Sequence, residues 1–188
     1  ESIDSKKAFV FLDHSPARTY VAQSGLIGTD GPDAAASGRP QYQTSAREYV
    51  MADGQDALAV TLVLQQENGV EIRKVFEFTR NNYQVKMHYD IINRGTAPWS
   101  GLMYAQLKRD SSKDPSASNQ GFGMSTFLGG AWWTKDKPYN KLKLEKFAEE
   151  PVKESVTGGW AAMVQHYFVA AWVPDAKSSN VFVTRKSG

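Results

Sequence analysis

Hydrophobic and polar residues alternate most strictly in the central third of the chain. Across Tyr83–Ile91, Tyr83, Val85, Met87, Tyr89 and Ile91 fall on one side and Gln84, Lys86, His88 and Asp90 on the other. That period of two predicts a strand with one buried and one wet face. Leu58–Leu64 has the same rhythm through Leu58, Val60, Leu62 and Leu64, although Ala59 and Val63 blur its far face. Between these two runs, Ile72, Lys74, Phe76 and Phe78 share one face and Glu71, Arg73, Val75 and Glu77 the other. Glu67-Asn68-Gly69 and Asn81-Asn82 supply the turns, since Asn and Gly tolerate the backbone that joins twisted antiparallel strands. Three strands joined by short turns predict a meander, and so an all-β, mainly antiparallel domain of the twisted β-sandwich kind. Asn93–Pro98 breaks the third strand, and Trp99–Lys108 begins another.

The C-terminal half is less regular. Lys141–Phe147 alternates charged with apolar residues, which sends its leucines to the core and its lysines to water and protects an edge strand from aggregation. Asn180–Arg185 is a further short strand; with no strand after it, it implies a domain that continues beyond residue 188. Gly158–Pro174 fits two descriptions. Trp160, Met163, Val164, Tyr167, Phe168, Ala171 and Trp172 follow helical spacing, while Trp160, Ala162, Val164 and then Phe168, Ala170, Trp172 fit two consecutive strands. Flanking glycine and proline and the aromatic enrichment favour strands. Gly25–Pro40, with four glycines and two prolines, and the Ser/Asp/Asn-rich Asp110–Gln120 are expected as surface excursions. With no internal repeat and no shift of composition, residues 1–188 read as a single domain.

Composition narrows the class. A hydrophobic fraction of 41% and a charged fraction of 22% are those of a soluble globular protein. No apolar run approaches the ~20 residues of a membrane-spanning helix, and Glu1–Lys7 lacks the basic start and apolar run of a signal peptide. If the chain is a piece of a membrane protein, its targeting and spanning parts lie elsewhere. A net charge of +2, from 22 basic and 20 acidic residues, argues against nucleic acid as a partner. The lack of cysteine removes disulfides, thiolate metal sites and cysteine nucleophiles.

Catalytic constellations are scarce. His14, His88 and His166 are far apart, with no zinc-type spacing, no nucleophile elbow and no phosphate loop. His88, between Lys86 and Asp90, reads as a solvated histidine, and His166, among aromatic residues, as a hydrogen-bonded core histidine. The best candidate contact surface is Gly129–Tyr139, joined by Lys141 and Lys143 of the run that follows. Trp132, Trp133 and Tyr139 offer rigid apolar area, and Lys135, Lys137, Lys141 and Lys143 offer charge for an acidic partner or a peptide. The competing reading places one or both tryptophans in the core and leaves the lysines as a solvated face.

Gly158–Pro174, Tyr20–Gly28 followed by Asp30–Asp33, and Gln106-Leu107-Lys108 together resemble the periplasmic domain of the YidC family of bacterial membrane-protein insertases, as Gram-negative members carry it. The resemblance covers about Arg18 to Val183 and turns Gly158–Pro174 into strands. It implies a β-supersandwich similar to galactose mutarotase and carbohydrate-binding folds, completed beyond the chain by more strands and a helical part. It also implies a position on the periplasmic side of the inner membrane, as a domain of a multi-pass protein. The parent protein would insert and fold nascent inner-membrane proteins, alone or with the Sec translocon, through a membrane region this chain lacks. The domain itself would be non-catalytic, would need no cofactor, and would contact SecDF or translocated polypeptide. The sandwich also supports rivals of other classes. An aldose-epimerase-like enzyme would need a histidine acid facing a carboxylate base, and a carbohydrate-binding module would centre on Trp132, Trp133 or Trp160.

Overall fold

The computed structural model describes residues 10–36, 38–112 and 127–186. These residues form β1 (Asp13–Ser15), β2 (Arg18–Ile27), β3 (Ala57–Gln65), β4 (Val70–Thr79), β5 (Val85–Asn93), β6 (Leu102–Arg109), β7 (Gly129–Trp132), β8 (Asn140–Lys143), β9 (Lys153–Thr157), β10 (Ala161–Gln165), β11 (Phe168–Trp172) and β12 (Ser179–Val183). The sheets are ordered β1-β2-β6, β3-β4-β5, β11-β10-β7-β8 and β12-β9. Pairings β1–β2, β3–β4, β4–β5, β7–β8, β7–β10, β10–β11 and β9–β12 are all antiparallel. The fold is therefore all-β and antiparallel, as the alternation predicts. By internal contacts the chain divides into two compact units, Gly25–Tyr104 and the remainder, and the division falls within β2 and β6.

In the Gly25–Tyr104 unit, the meander β3-β4-β5 packs the core. Leu64, Ile72 and Ile91 stand opposite one another across the three strands. They pack with buried Leu26 and Val70 and with partly buried Tyr42, Tyr89 and Trp99. The β3–β4 turn closes with Gly69 at φ +83, its N–H donating to the Gln66 carbonyl (3.2 Å) while Gln66 N–H donates to Val70 (2.8 Å). This is the three-residue hairpin that ends on a left-handed glycine. At the next turn Asn81 takes φ +58, and the Asn82 side chain accepts from Gln84 N–H at 2.9 Å. The turn therefore consumes Tyr83, so β5 begins at Val85 and Tyr83 is fully exposed instead of starting the buried face.

Two further expectations change here. Glu71 occupies the face read as wet, yet it is only 7% exposed, because Gln65, Arg73 and Arg94 close over its carboxylate. The Gly25–Pro40 stretch is not all surface excursion. β2 continues to Ile27, Gly31 is buried, and the Asp33 carboxylate folds back to accept from Leu26 N–H at 2.8 Å. Gly25 is the residue that allows this approach: a Cβ there would lie 2.5 Å from both Asp33 Cγ and Tyr104 Cε1. Residues 113–120 of the other expected excursion lie outside the described residues.

In the second unit, β10 and β11 form a tight hairpin with Gln165 opposite Phe168 and Ala161 opposite Trp172. The Gly158–Pro174 segment is thus a pair of strands, and helical spacing there is coincidental. His166 sits in the hairpin turn, half-buried against the Tyr167 ring at 3.7 Å, and not in the core. β7, the inner neighbour of β10, is buried at all four positions. In the Lys141–Phe147 run the strand stops at Lys143, and Leu144–Lys146 is a 3-10 turn.

Candidate functional site

The predicted contact surface lies on β7, β8 and the loop between them. Trp132 is the last residue of β7 and is 7% exposed, so it belongs to the interior. Trp133 follows, half-buried, with its N–H donating to the Trp160 carbonyl at 3.0 Å. Its indole covers Gly159, where a Cβ would lie 2.7 Å from Trp133 Cε3 and where φ is +78. Glycine is thus required at 159 by both backbone and packing. The loop is fixed from within. Thr134 N–H and Lys137 C=O bond at 3.2 Å, and the Asn140 amide donates to Lys137 C=O (2.9 Å), Thr134 Oγ1 (3.2 Å) and Trp132 C=O (3.4 Å).

This frame presents Lys135, Lys137 and Tyr139 to solvent from the loop and Lys141 and Lys143 from alternate positions of β8. Tyr139 also leans on Trp160, ring centroids 6.0 Å apart. Lys141 Nζ lies 5.2 Å from the Phe127 ring centroid, and Lys143 Nζ lies 3.6 Å from Glu145. The hairpin therefore exposes four lysines beside aromatic edges, with Asp136 among them in the loop, on a backbone braced by internal hydrogen bonds. Of the seven predicted residues, the exposed ones are Lys135, Lys137, Tyr139, Lys141 and Lys143.

The three segments singled out in the sequence meet elsewhere, in a polar network in the same unit. Gln106 Nε2 donates to Gln23 Oε1 at 2.8 Å, and Trp172 Nε1 donates to the Gln106 carbonyl at 3.1 Å. Arg109 donates to Gln165 Oε1 and to the Ser112 carbonyl. Asp110 accepts from Thr19 N–H at 2.5 Å and from Ser112. Burial pushes the Asp110 carboxyl up, but the bonds from Ser112 and Thr19 outweigh it and hold it below its ordinary value. Arg18, Tyr20, Arg109 and Gln165 were not candidates in the sequence. Arginine and glutamine at scattered positions give no spacing signal, and only the fold gathers them.

The histidines do not form a centre. His14 is exposed on β1 and His166 occupies the β10–β11 turn. His88 is exposed on β5, 3.7 Å from Asp90 and 4.0 Å from Glu77, the solvated setting expected of it. Among the described residues, no group of three or more His, Asp or Glu is placed to hold a metal, and no helix is long and apolar enough to cross a membrane. The Gly25–Tyr104 unit has its own half-buried polar group. There Lys74 Nζ lies 5.4 and 5.5 Å from the Phe76 and Tyr89 rings, and burial lowers its pKa while Asp33 opposes the shift. Burial pushes the Tyr42 phenol well up, with Tyr89, Asp33 and Tyr104 adding to it, so it remains protonated.

A sequence model of the YidC periplasmic domain matches residues 1–188. The chain belongs to this family. It is therefore a periplasmic domain of the kind carried by YidC, the inner-membrane insertase of Gram-negative bacteria. It is 48% identical over 178 residues to the membrane protein insertase YidC of Pseudomonas syringae pv. syringae, covering 95% of this chain and 31% of that protein. It is 46% identical over 175 residues to the membrane protein insertase YidC of Alcanivorax borkumensis, covering 92% and 30%. A third relative, from Azotobacter vinelandii, is 47% identical over 178 residues, covering 95% and 32%. The chain thus spans about a third of the length of the curated relatives it matches. The segments that carry the resemblance turn out to be structural. Gly25 and Asp33 pin the end of β2, Gly159 seats Trp133, and Gln106, Gln165 and Trp172 tie strands together.

Proposed function

We propose that this YidC periplasmic domain is a non-catalytic contact module of a membrane protein insertase. Insertion itself belongs to the part of the parent protein outside this chain, where inner-membrane proteins are the substrates. The module engages the Sec accessory complex SecDF, or polypeptide emerging beside the Sec translocon. Its docking surface is Trp133, Lys135, Lys137, Tyr139, Lys141 and Lys143, with Trp132 anchoring the frame from inside. The observation that carries this reading is the display of four lysines and a tyrosine on one internally braced hairpin. A loop backbone already braced by its own hydrogen bonds needs little further ordering on binding, which favours a specific contact over a merely solvated face.

The test is a titration of the isotope-labelled chain with the purified periplasmic part of SecF, read by NMR shift mapping. Saturable shifts confined to Trp133–Lys143 are expected. Saturable shifts centred on another surface, or none at high concentration, contradict the assignment.

A further inference from the structure

Among the described residues, β8 is the outermost strand of the β11-β10-β7-β8 sheet. Its register fixes where its backbone groups point. Leu144 N–H donates to the Leu128 carbonyl at 3.0 Å, in step with Gly129 opposite Lys143. Bonded and non-bonded pairs alternate along an antiparallel ladder, so Leu142 and Asn140 also direct their N–H and C=O groups at β7. Lys141 and Lys143 therefore turn theirs away from β7, toward the open edge. The side chains of the same two residues are exposed, on the face opposite the partly buried Asn140 and Leu142. Unspent backbone pairs and positive charge thus coincide at two positions of one strand.

Lysines on an edge strand ordinarily guard it against aggregation. Here the pattern also selects. A second copy of the chain added at β8 would set lysine against lysine, and like charges directly opposite are destabilising, whereas carboxylates in the same places are favourable. Residues two apart on an added strand share a face. The residues bonded to Lys141 and Lys143 would therefore both present their side chains beside the lysines, with Cα atoms about 5.5 Å apart across the strands. The contacts of the two lysines within the chain leave them available. Lys143 Nζ lies 3.6 Å from Glu145 with both side chains largely exposed, a pair worth little, and Lys141 Nζ rests near the Phe127 ring.

We propose that the open edge of β8 takes an extended acidic polypeptide segment as an added antiparallel strand, with carboxylates at alternate positions opposite Lys141 and Lys143. The inference rests on the contact surface proposed above and names its mode of recognition: main-chain bonds supply affinity and the alternate side chains supply specificity. The test titrates the isotope-labelled chain with a synthetic peptide alternating threonine and glutamate, read by NMR shifts and amide hydrogen exchange. Saturable binding with slowed exchange at the Lys141 and Lys143 amides is expected, and a threonine–lysine peptide is expected not to bind. Methylating the glutamate backbone nitrogens removes the donors to the Lys141 and Lys143 carbonyls and is expected to weaken binding about tenfold or more. Lys143 already holds φ at −63, close to that of proline, so Lys143→Pro deletes the outward N–H without breaking the pairing with β7. Lys143→Gln removes the charge alone, and the proline variant is expected to bind more weakly than the glutamine variant by about fivefold or more. No binding of the acidic peptide, binding indifferent to methylation, or equal affinity of the two variants overturns the proposal. A failed SecF titration beside a successful peptide titration overturns the choice of partner and leaves the strand pairing standing; localised SecF shifts beside a failed peptide titration do the reverse.

Discussion

Glu71 joins three pieces of one unit through a single carboxylate, which accepts from Gln65 at 2.8 Å, from Arg73 at 2.5 Å and from Arg94 at 3.2 Å. The Gln65 bond contributes most to holding its pKa low, followed by Arg73, against the upward push of burial. A depressed carboxylate stabilises the fold fully above the ordinary value of about 4.3 and loses that contribution as pH falls through the folded value. Urea unfolding as a function of pH should therefore show an acid-side loss of stability that Glu71→Gln flattens. An unchanged acid limb in the variant would show that Glu71 does not drive it. Gly159 gives a second expectation at this scale. Gly159→Ala must adopt φ +78 and meet Trp133 Cε3 at 2.7 Å. The left-handed backbone alone costs about 1–2 kcal/mol, and a shift of tryptophan fluorescence should accompany the loss in a denaturant titration. Neither role was visible in the sequence. Glu71 follows the polar rhythm of its strand, and its burial depends on Arg94, which comes from the turn after β5.

At the scale of elements, legibility followed the number of buried faces. β3, β4 and β5 alternate in sequence, so they could be read directly, although β4 buries Val70, Glu71 and Ile72 in succession; even their turns were marked by Asn and Gly. β7 is buried at every position and runs Gly-Gly-Ala-Trp, with no alternation to betray a strand. The paired tryptophans beside glycines and lysines point to a contact surface instead. β10 and β11 were ambiguous with a helix because β10 buries residues on both faces. Two variants separate frame from surface on the β7–β8 hairpin. Trp132→Ala should destabilise by about 3–5 kcal/mol, as other buried tryptophans do, measured by chemical denaturation. Replacing Lys135, Lys137, Lys141 and Lys143 together with glutamine should leave stability within about 0.5 kcal/mol per site while weakening partner binding at least tenfold. A quadruple variant that binds as well as wild type would make the lysines a solvated face.

For the whole molecule, the sequence carried the family further than the function. Tyr20–Gly28, Gln106–Lys108 and Gly158–Pro174 mark the chain as a YidC periplasmic domain because packing demands those residues, and the family match over residues 1–188 agrees. Several of these residues are buried or bonded to one another, as Tyr20, Leu26, Met163 and the Gln23–Gln106–Trp172 chain are, so they say little about what the domain touches. The exposed candidates come instead from Trp133–Lys143, where the signal is exposure and charge. The decisive measurement is site-specific photo-crosslinking in the intact parent insertase in cells, with the photoreactive group at position 137, 139 or 141 and a control at position 83. The account predicts crosslinks to a Sec component or a translocating polypeptide from the three hairpin positions and none from the control. Crosslinks from position 83 alone, or from none of the four, would contradict it.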